Sequence, residues 1–252
     1  MILLKSANEV EQMRLPGRIV GGAHREVRKA IRPGMTTEEL DRLVEGLIRD
    51  QGGTPAFKGY RGFPASVCAS VNEEVVHGIP GPRTLQEGDI VGVDIGVKAG
   101  GFYSVAAQTI AVGSVSPKTA NLLAVTRSAL MAGIEQARVG NRVGDVSHAV
   151  QRVVEEAGLA VVRTLVGHGI GRSMHEDPQV PNFGKPGKGP ELKAGMALAI
   201  EPMVNIGGPE VEVLDDAWTV VTADGSLSAH FEHTVAILET GPEILTDGAI
   251  PE

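Results

Sequence analysis

The sequence predicts an α+β fold made of two similar halves, each running helix, helix, then strands, about a pseudo-two-fold axis. Amphipathic helices are marked by capping boxes ahead of apolar residues at helical spacing. Short apolar runs between glycines and turn residues read as strands. The third observation is an internal repeat: RPGMTTEELDRLVEGLIRDQGG from Arg32 matches RVGNRVGDVSHAVQRVVEEAGL from Arg138, 106 positions later. Gly34 falls on Gly140, Leu40 on Val146, Leu47 on Val153, Ile48 on Val154 and Gly52 on Gly158. Further on, GDIVGVDIGV aligns with GMALAIEPMV at an offset of 107, which puts Asp94 on Glu201.

The elements follow in order. Ser6 caps a first helix with Glu9 reaching back, and Val10, Met13 and Val20 supply its apolar face. Pro16 is expected to kink this helix or end its first segment, because the ring removes an N–H and clashes with the preceding turn. Thr36 and Glu39 open a second helix, Leu40, Leu43, Val44, Leu47 and Ile48 line it, and Gly52-Gly53 stop it. Ser116-Pro117 starts a third, running to about Arg138, and a fourth covers 144–157. Strands are expected at 66–76, 88–98, 102–112, 160–166, 195–204, 217–222 and 231–238. No linker or charge run divides the chain, so 1–252 reads as one domain with halves at 1–112 and 113–252.

Composition narrows the function. The 252 residues are 42% hydrophobic, enough for a sizeable core. A net charge of −8 leaves no basic footprint and argues against a dedicated nucleic-acid binder. The single cysteine, Cys68, suits a reducing compartment. Only Ile2, Leu3 and Leu4 precede the first charge, so no signal peptide or membrane anchor is expected, and the protein reads as cytoplasmic.

Acids inside apolar strands carry the chemistry. A buried carboxylate is expensive unless it is paired, hydrogen-bonded or bound to a metal. Asp94, Glu201 and Glu232 are three such groups, and His168 in VGHGIG projects from a backbone stripped of side-chain bulk. Hard carboxylate oxygens with one imidazole suit a divalent first-row ion such as Mn, Fe, Co or Zn. Taken singly, each residue also fits a satisfied core group; it is their conjunction on repeat-related strands that favours metal binding. His77 and His175 end glycine-rich or apolar stretches, where an imidazole can bond a substrate or support an oxyanion. His24 and His148 are expected on solvated helix faces. Strand alternation is expected to turn His230 and His233 away from the face of Glu232.

These motifs, SVNEEVVHGIP, GDIVGVDIGV, GHGIGRSMHEDPQVPNFG, AIEPMV and SAHFEHTVAI, resemble those of a type I methionine aminopeptidase in its short bacterial form. The resemblance runs over nearly the whole chain. Only 33 positions separate His168 from Glu201, which leaves no room for the helical insertion of type II enzymes. It implies the pita-bread fold of creatinase and prolidase, with a mostly antiparallel curved sheet. It also implies a monomer acting on peptide and nascent-chain N-termini that begin with Met, near the ribosome. Asp94, His168, Glu201 and Glu232 match four of the family's five ligands to two divalent ions, Glu232 bridging. The catalytic roles would fall to His77, His175 and Glu201. Tyr60, Phe63, Cys68, Met174 and Trp218, with His77 and His175, would receive the substrate, a setting that suits a polarizable thioether.

The family's fifth ligand is a bridging aspartate eleven residues after Asp94. Here that position is Val105, and valine has no lone pair to offer. Ser104 cannot replace it, because alternation turns it to the opposite face. One ion or fewer is therefore expected, with activity reduced or lost. The alternative is a metal-poor pita-bread domain that binds peptides or proteins without catalysis. A creatinase- or prolidase-like hydrolase is disfavoured, since those relatives carry an additional N-terminal domain.

Overall fold

The computed structural model describes residues 1–251. In chain order the elements are α1 (Ala7–Ala30), α2 (Thr37–Asp50), β1 (Thr54–Pro55), β2 (Val67–Val71), β3 (Glu74–Val76), β4 (Ile90–Ala99) and β5 (Phe102–Ala111). The second half holds α3 (Pro117–Gln136), α4 (Val143–Glu156), β6 (Ala160–Val161), β7 (Val166–Gly169), β8 (Glu176–Pro181), β9 (Ala197–Ile200) and β10 (Met203–Asn205). It closes with β11 (Val211–Val213), β12 (Val220–Thr222), β13 (Ser228–His230), β14 (Glu232–Leu238) and β15 (Gly241–Ile244). The class is α+β, as the sequence predicts, around a curved antiparallel sheet.

The helices start where local chemistry says they should. Ser6 with Glu9, and Thr36 with Glu39, form capping boxes, and Ser116 accepts from the Thr119 N–H ahead of Pro117. The helices α2 and α4 are each 14 residues long, and both of their ends differ by the 106 positions of the repeat. The turns that precede them place Gly34 and Gly140 at the same φ of 88°, a left-handed conformation that only glycine adopts without strain.

Pro16 does not end α1, which runs on as one helix to Ala30. Val10, Met13, Val20, Ala23 and Val27 are buried along the helix, and this packing outweighs the lost backbone bond. Close approach helps: a Cβ on Gly17 or Gly21 would meet the backbone carbonyl oxygen of Leu245 or Asp247. The stretch 66–76 is two strands rather than one, broken at Asn72, whose φ is 60°.

The large sheet runs β1-β4-β5-β14-β9-β7-β8, with β2 added to β4 and β15 to β14. One apolar core lies beneath α1 and α2, built on Val20, Val44, Ile48 and Val93. Another lies beneath α3 and α4, built on Leu130, Val146, Leu198 and Val235. Helices from both halves thus back the sheet and leave its other face to the site. Among the described residues no helix is long and apolar enough to cross a membrane.

Candidate metal centre and pocket

Register brings the acids together. On β4, Asp94 pairs with Ala107 of β5, and Ala107 pairs on its other side with Glu232 of β14. Asp94, Ala107 and Glu232 therefore form one row across three strands, side chains on the same face. His168 pairs with Ala199 of β9, and Glu201 follows β9 directly. All twelve residues singled out in the sequence line one cavity of about 540 Å³ at this face.

One oxygen of Glu201, one oxygen of Glu232 and a ring nitrogen of His168 lie within 4.8 Å of one another. The Nδ1 of His168 is 2.8 Å from the Gly169 carbonyl oxygen. A carbonyl only accepts, so Nδ1 carries the proton and the Nε2 lone pair faces Glu201 Oε1 at 3.6 Å. Burial holds this imidazole neutral, lowering its pKa to about 4.

The carboxyls are pushed the other way. Burial raises Asp94 to about 7. Burial, then the charge of Asp94, raises Glu201 and Glu232 well above the usual carboxylate range. The Oδ1 of Asp94 is sealed from solvent and has no hydrogen-bond partner. Among the described residues no Lys or Arg pairs with any of the three. Clustered carboxyls short of positive charge, with a neutral imidazole presenting its lone pair, form a donor set that fits a divalent first-row ion.

Val105 sits one alternation from Ala107 on the same strand face, opposite Gly96, and is 2% exposed. Its side chain joins an apolar cluster with Ile170, Met174 and Ala199. The Thr234 side chain clamps its backbone: the Val105 N–H donates to Oγ1 at 2.9 Å, and Oγ1 donates to the Val105 carbonyl at 2.8 Å. Ser104 points to the other side, toward the Met13 carbonyl of α1. Strand alternation read from sequence is correct for this pair.

The pocket's far wall is aromatic. Phe63 and Trp218 meet edge to face at 5.1 Å, and His77 lies edge-on to Trp218 at 6.3 Å. The Tyr60 hydroxyl is 2.7 Å from Nδ1 of His175, and the His175 ring lies 4.3 Å from that of His168. Burial lowers the pKa of His77 and of His175, so both rings favour the neutral form. Cys68 lies directly opposite Asp94 in register, and burial with the neighbouring acids pushes its thiol up. Phe57, Arg61 and Gln179 also line the cavity. Nothing in the local sequence singles them out, since short loops and β8 bring them there.

Two histidines depart from expectation. His24 is fully buried, not solvated: its Nε2 meets the Ala106 carbonyl at 2.8 Å and its Nδ1 the Gln108 amide at 3.1 Å. A lone polar residue on an apolar helix face had a partner waiting in β5. His233 does turn away, toward Thr246. His230 does not: it lies two residues from Glu232, and its Nε2 stands 4.0 Å from Glu201 Oε2.

A sheet-borne cluster of carboxyls and imidazole inside a peptide-sized pocket is the arrangement of a metal-dependent peptidase. The model of metallopeptidase family M24 matches residues 11–239, and the chain belongs to that family, among its methionine aminopeptidases. It is 56% identical to a methionine aminopeptidase of Clostridium perfringens, over 98% of this chain and 99% of that protein. It is 53% identical to methionine aminopeptidase 1 of Bacillus subtilis over the same shares. A crystal structure of methionine aminopeptidase from Thermotoga maritima superposes with a TM-score of 0.96 at 50% identity, covering 98% and 99% of the two chains. A prolidase from Pyrococcus furiosus, 22% identical with a TM-score of 0.76 over 97% of this chain and 65% of that one, shares the fold alone. Membership in M24 implies a divalent metal cofactor.

Proposed function

We propose that the chain removes an N-terminal methionine from peptides and nascent proteins through a centre that holds at most one divalent ion, and that it does so with strongly reduced efficiency. The observation that carries this reading is the cluster of His168, Glu201 and Glu232 in a pocket where Val105 stands on the face of Asp94 and Glu232. His168, Glu201 and Glu232 retain three donors for one ion. A second position would have only Asp94 and the shared Glu232, too few to hold an ion firmly. Co, Mn, Fe and Zn all suit this set. When bound, the ion supplies Lewis-acid polarisation of the scissile carbonyl and a lowered pKa for water.

The protein's own groups do the rest. Glu201 takes the proton of the attacking water and returns one to the leaving amine. His175, held by the Tyr60 hydroxyl, supports the carbonyl oxygen as it becomes tetrahedral. His77 contacts the scissile amide. Tyr60, Phe63, Cys68, Met174 and Trp218 enclose the methionine side chain, whose thioether gains from aromatic and sulfur neighbours. The setting is cytoplasmic and monomeric, on nascent chains leaving the ribosome.

The test is cleavage of a Met-Ala-Ser peptide and the count of bound ions, for the chain and for Val105→Asp. Restoring the aspartate is expected to raise both. Full activity with two tightly held ions in the unaltered chain would refute the impairment, and inactivity of Val105→Asp with metal bound would refute the aminopeptidase reading.

A further inference from the structure

Lys5 is the one buried lysine or arginine among the described residues. A buried ammonium is costly unless it is paired and hydrogen-bonded. Its Nζ donates to Glu176 Oε2 at 2.6 Å and to the Leu3 carbonyl at 3.1 Å, and the two paired side chains are only 5% and 6% exposed. Lys5 lies outside the cavity, whereas Glu176 lines it and follows His175 directly.

The tie reaches the turn that carries two pocket residues. Residues 171–175 belong to no helix or strand, so side chains decide where this turn sits. The second carboxylate oxygen of Glu176, Oε1, accepts from the Ser173 N–H at 3.0 Å and closes the turn around Met174 and His175. A Cβ on Gly171 would fall 2.4 Å from Lys5 Cε, so the lysine passes there only because the residue is glycine. Lys5 is itself anchored: its backbone N–H donates to the Gly195 carbonyl at 2.7 Å, and α1 begins at Ala7. Arg172 and Glu9 join the same two segments at 3.0 Å, but Arg172 is exposed and such a pair holds little.

We infer that Lys5 is a positioning residue, which through Glu176 holds the Met174–His175 turn in the pocket and sets His175 beside Tyr60 and His168. The inference rests on the proposed function, in which His175 supports the carbonyl oxygen and Met174 helps enclose the methionine. Lys5 touches neither substrate nor metal; it acts through the charge-assisted bond to Glu176.

The experiment is 13C-methyl-methionine NMR of the full chain, beside Lys5→Leu and Lys5→Leu/Glu176→Gln, with Met-Ala-Ser cleavage measured for each change on the Val105→Asp background. The Met174 methyl signal should shift or broaden in both variants, while the buried Met35 and Met203 methyls stay in place and report that the fold is kept. The kcat should fall about 10–100-fold, by more than KM changes, because a displaced His175 fails the transition state. The double variant leaves no unpaired buried charge, so its melting temperature should recover toward the parent's while Met174 and kcat stay displaced. An unmoved Met174 signal, an unchanged kcat, or recovery of kcat along with the melting temperature overturns the inference. Inactivity of Val105→Asp with metal bound overturns the aminopeptidase reading instead, and the Met174 signal then still decides whether Lys5 holds the turn.

Discussion

Val105→Asp should change stability in opposite directions with and without metal. Val105 is 2% exposed, so its replacement gives up about 1.5–3 kcal/mol of apolar burial. The new carboxyl enters a face where burial already raises Asp94 to about 7 and Glu232 well above the usual carboxylate range, so in chelator it stays protonated and poorly satisfied. That adds about 1–3 kcal/mol. In a chain of this length each kcal/mol moves the melting temperature by about 2–4 °C, so the variant should melt roughly 5–20 °C below the parent in EDTA. Metal reverses the balance. A regained ligand tightens the first ion by at least about 10-fold, or about 1.4 kcal/mol, and the second position adds its own binding energy. In saturating Co(II) the variant should therefore gain several degrees more than the parent. Thermal melts of both proteins in EDTA and in excess cobalt measure this directly. Equal cobalt shifts in the two proteins, or equal melting in EDTA, would refute the assignment of position 105 to the metal face.

Other outcomes test the surrounding framework. Gly21→Ala should lose about 1–3 kcal/mol in denaturant unfolding, because its Cβ would meet the Asp247 carbonyl. Gly46→Ala on the open face of α2, with nothing within 4 Å, should gain about 0.5–1. His24 has a folded pKa of about 3 against an ordinary 6.5, so the unfolded chain takes up the proton first. The stability it contributes above about pH 6.5 is lost as pH falls toward 3, about 2 kcal/mol of it by pH 5. In unfolding of chelated protein, the change in stability between pH 7.5 and 5 should be less favourable in the parent than in His24→Gln by about this 2 kcal/mol. Tyr60→Phe, made on the Val105→Asp background, removes the 2.7 Å bond to His175 and should lower kcat/KM about 5-fold for a Met-Ala-Ser peptide.

What the sequence revealed follows the range of the forces involved. Helix starts were legible because a capping box is closed within four residues, as at Ser6–Glu9 and Thr36–Glu39. The acids of the site were legible because a carboxylate in an apolar strand conflicts with its surroundings wherever the strand folds. Strands β1, β8, β11, β13 and β15 were not, being two to six residues long and made by pairing with distant partners. β8 even contains Pro178 and Pro181, residues that locally speak against a strand. His24 misled because local rules priced it alone, whereas β5 supplied its partners. His230 was misplaced by a miscount of alternation, since a residue two positions from Glu232 shares its side of a strand.

The row of Asp94, Ala107 and Glu232 explains why a valine is tolerated at the heart of such a site. The row is held by β4, β5 and β14 pairing whatever stands at 105, and Thr234 fixes the backbone there through its hydroxyl rather than through the side chain. The fold therefore does not need an acid at this position. Without metal, an acid here would be a further buried carboxyl competing for protons with Asp94, Glu201 and Glu232. Val105 relieves that competition and packs against Ile170 and Met174 instead. On the proposed reading, the same side chain lowers the chain's dependence on metal for stability and its capacity to use metal for catalysis. This is the opposition between stability and function expected where an active site concentrates unfavourable groups.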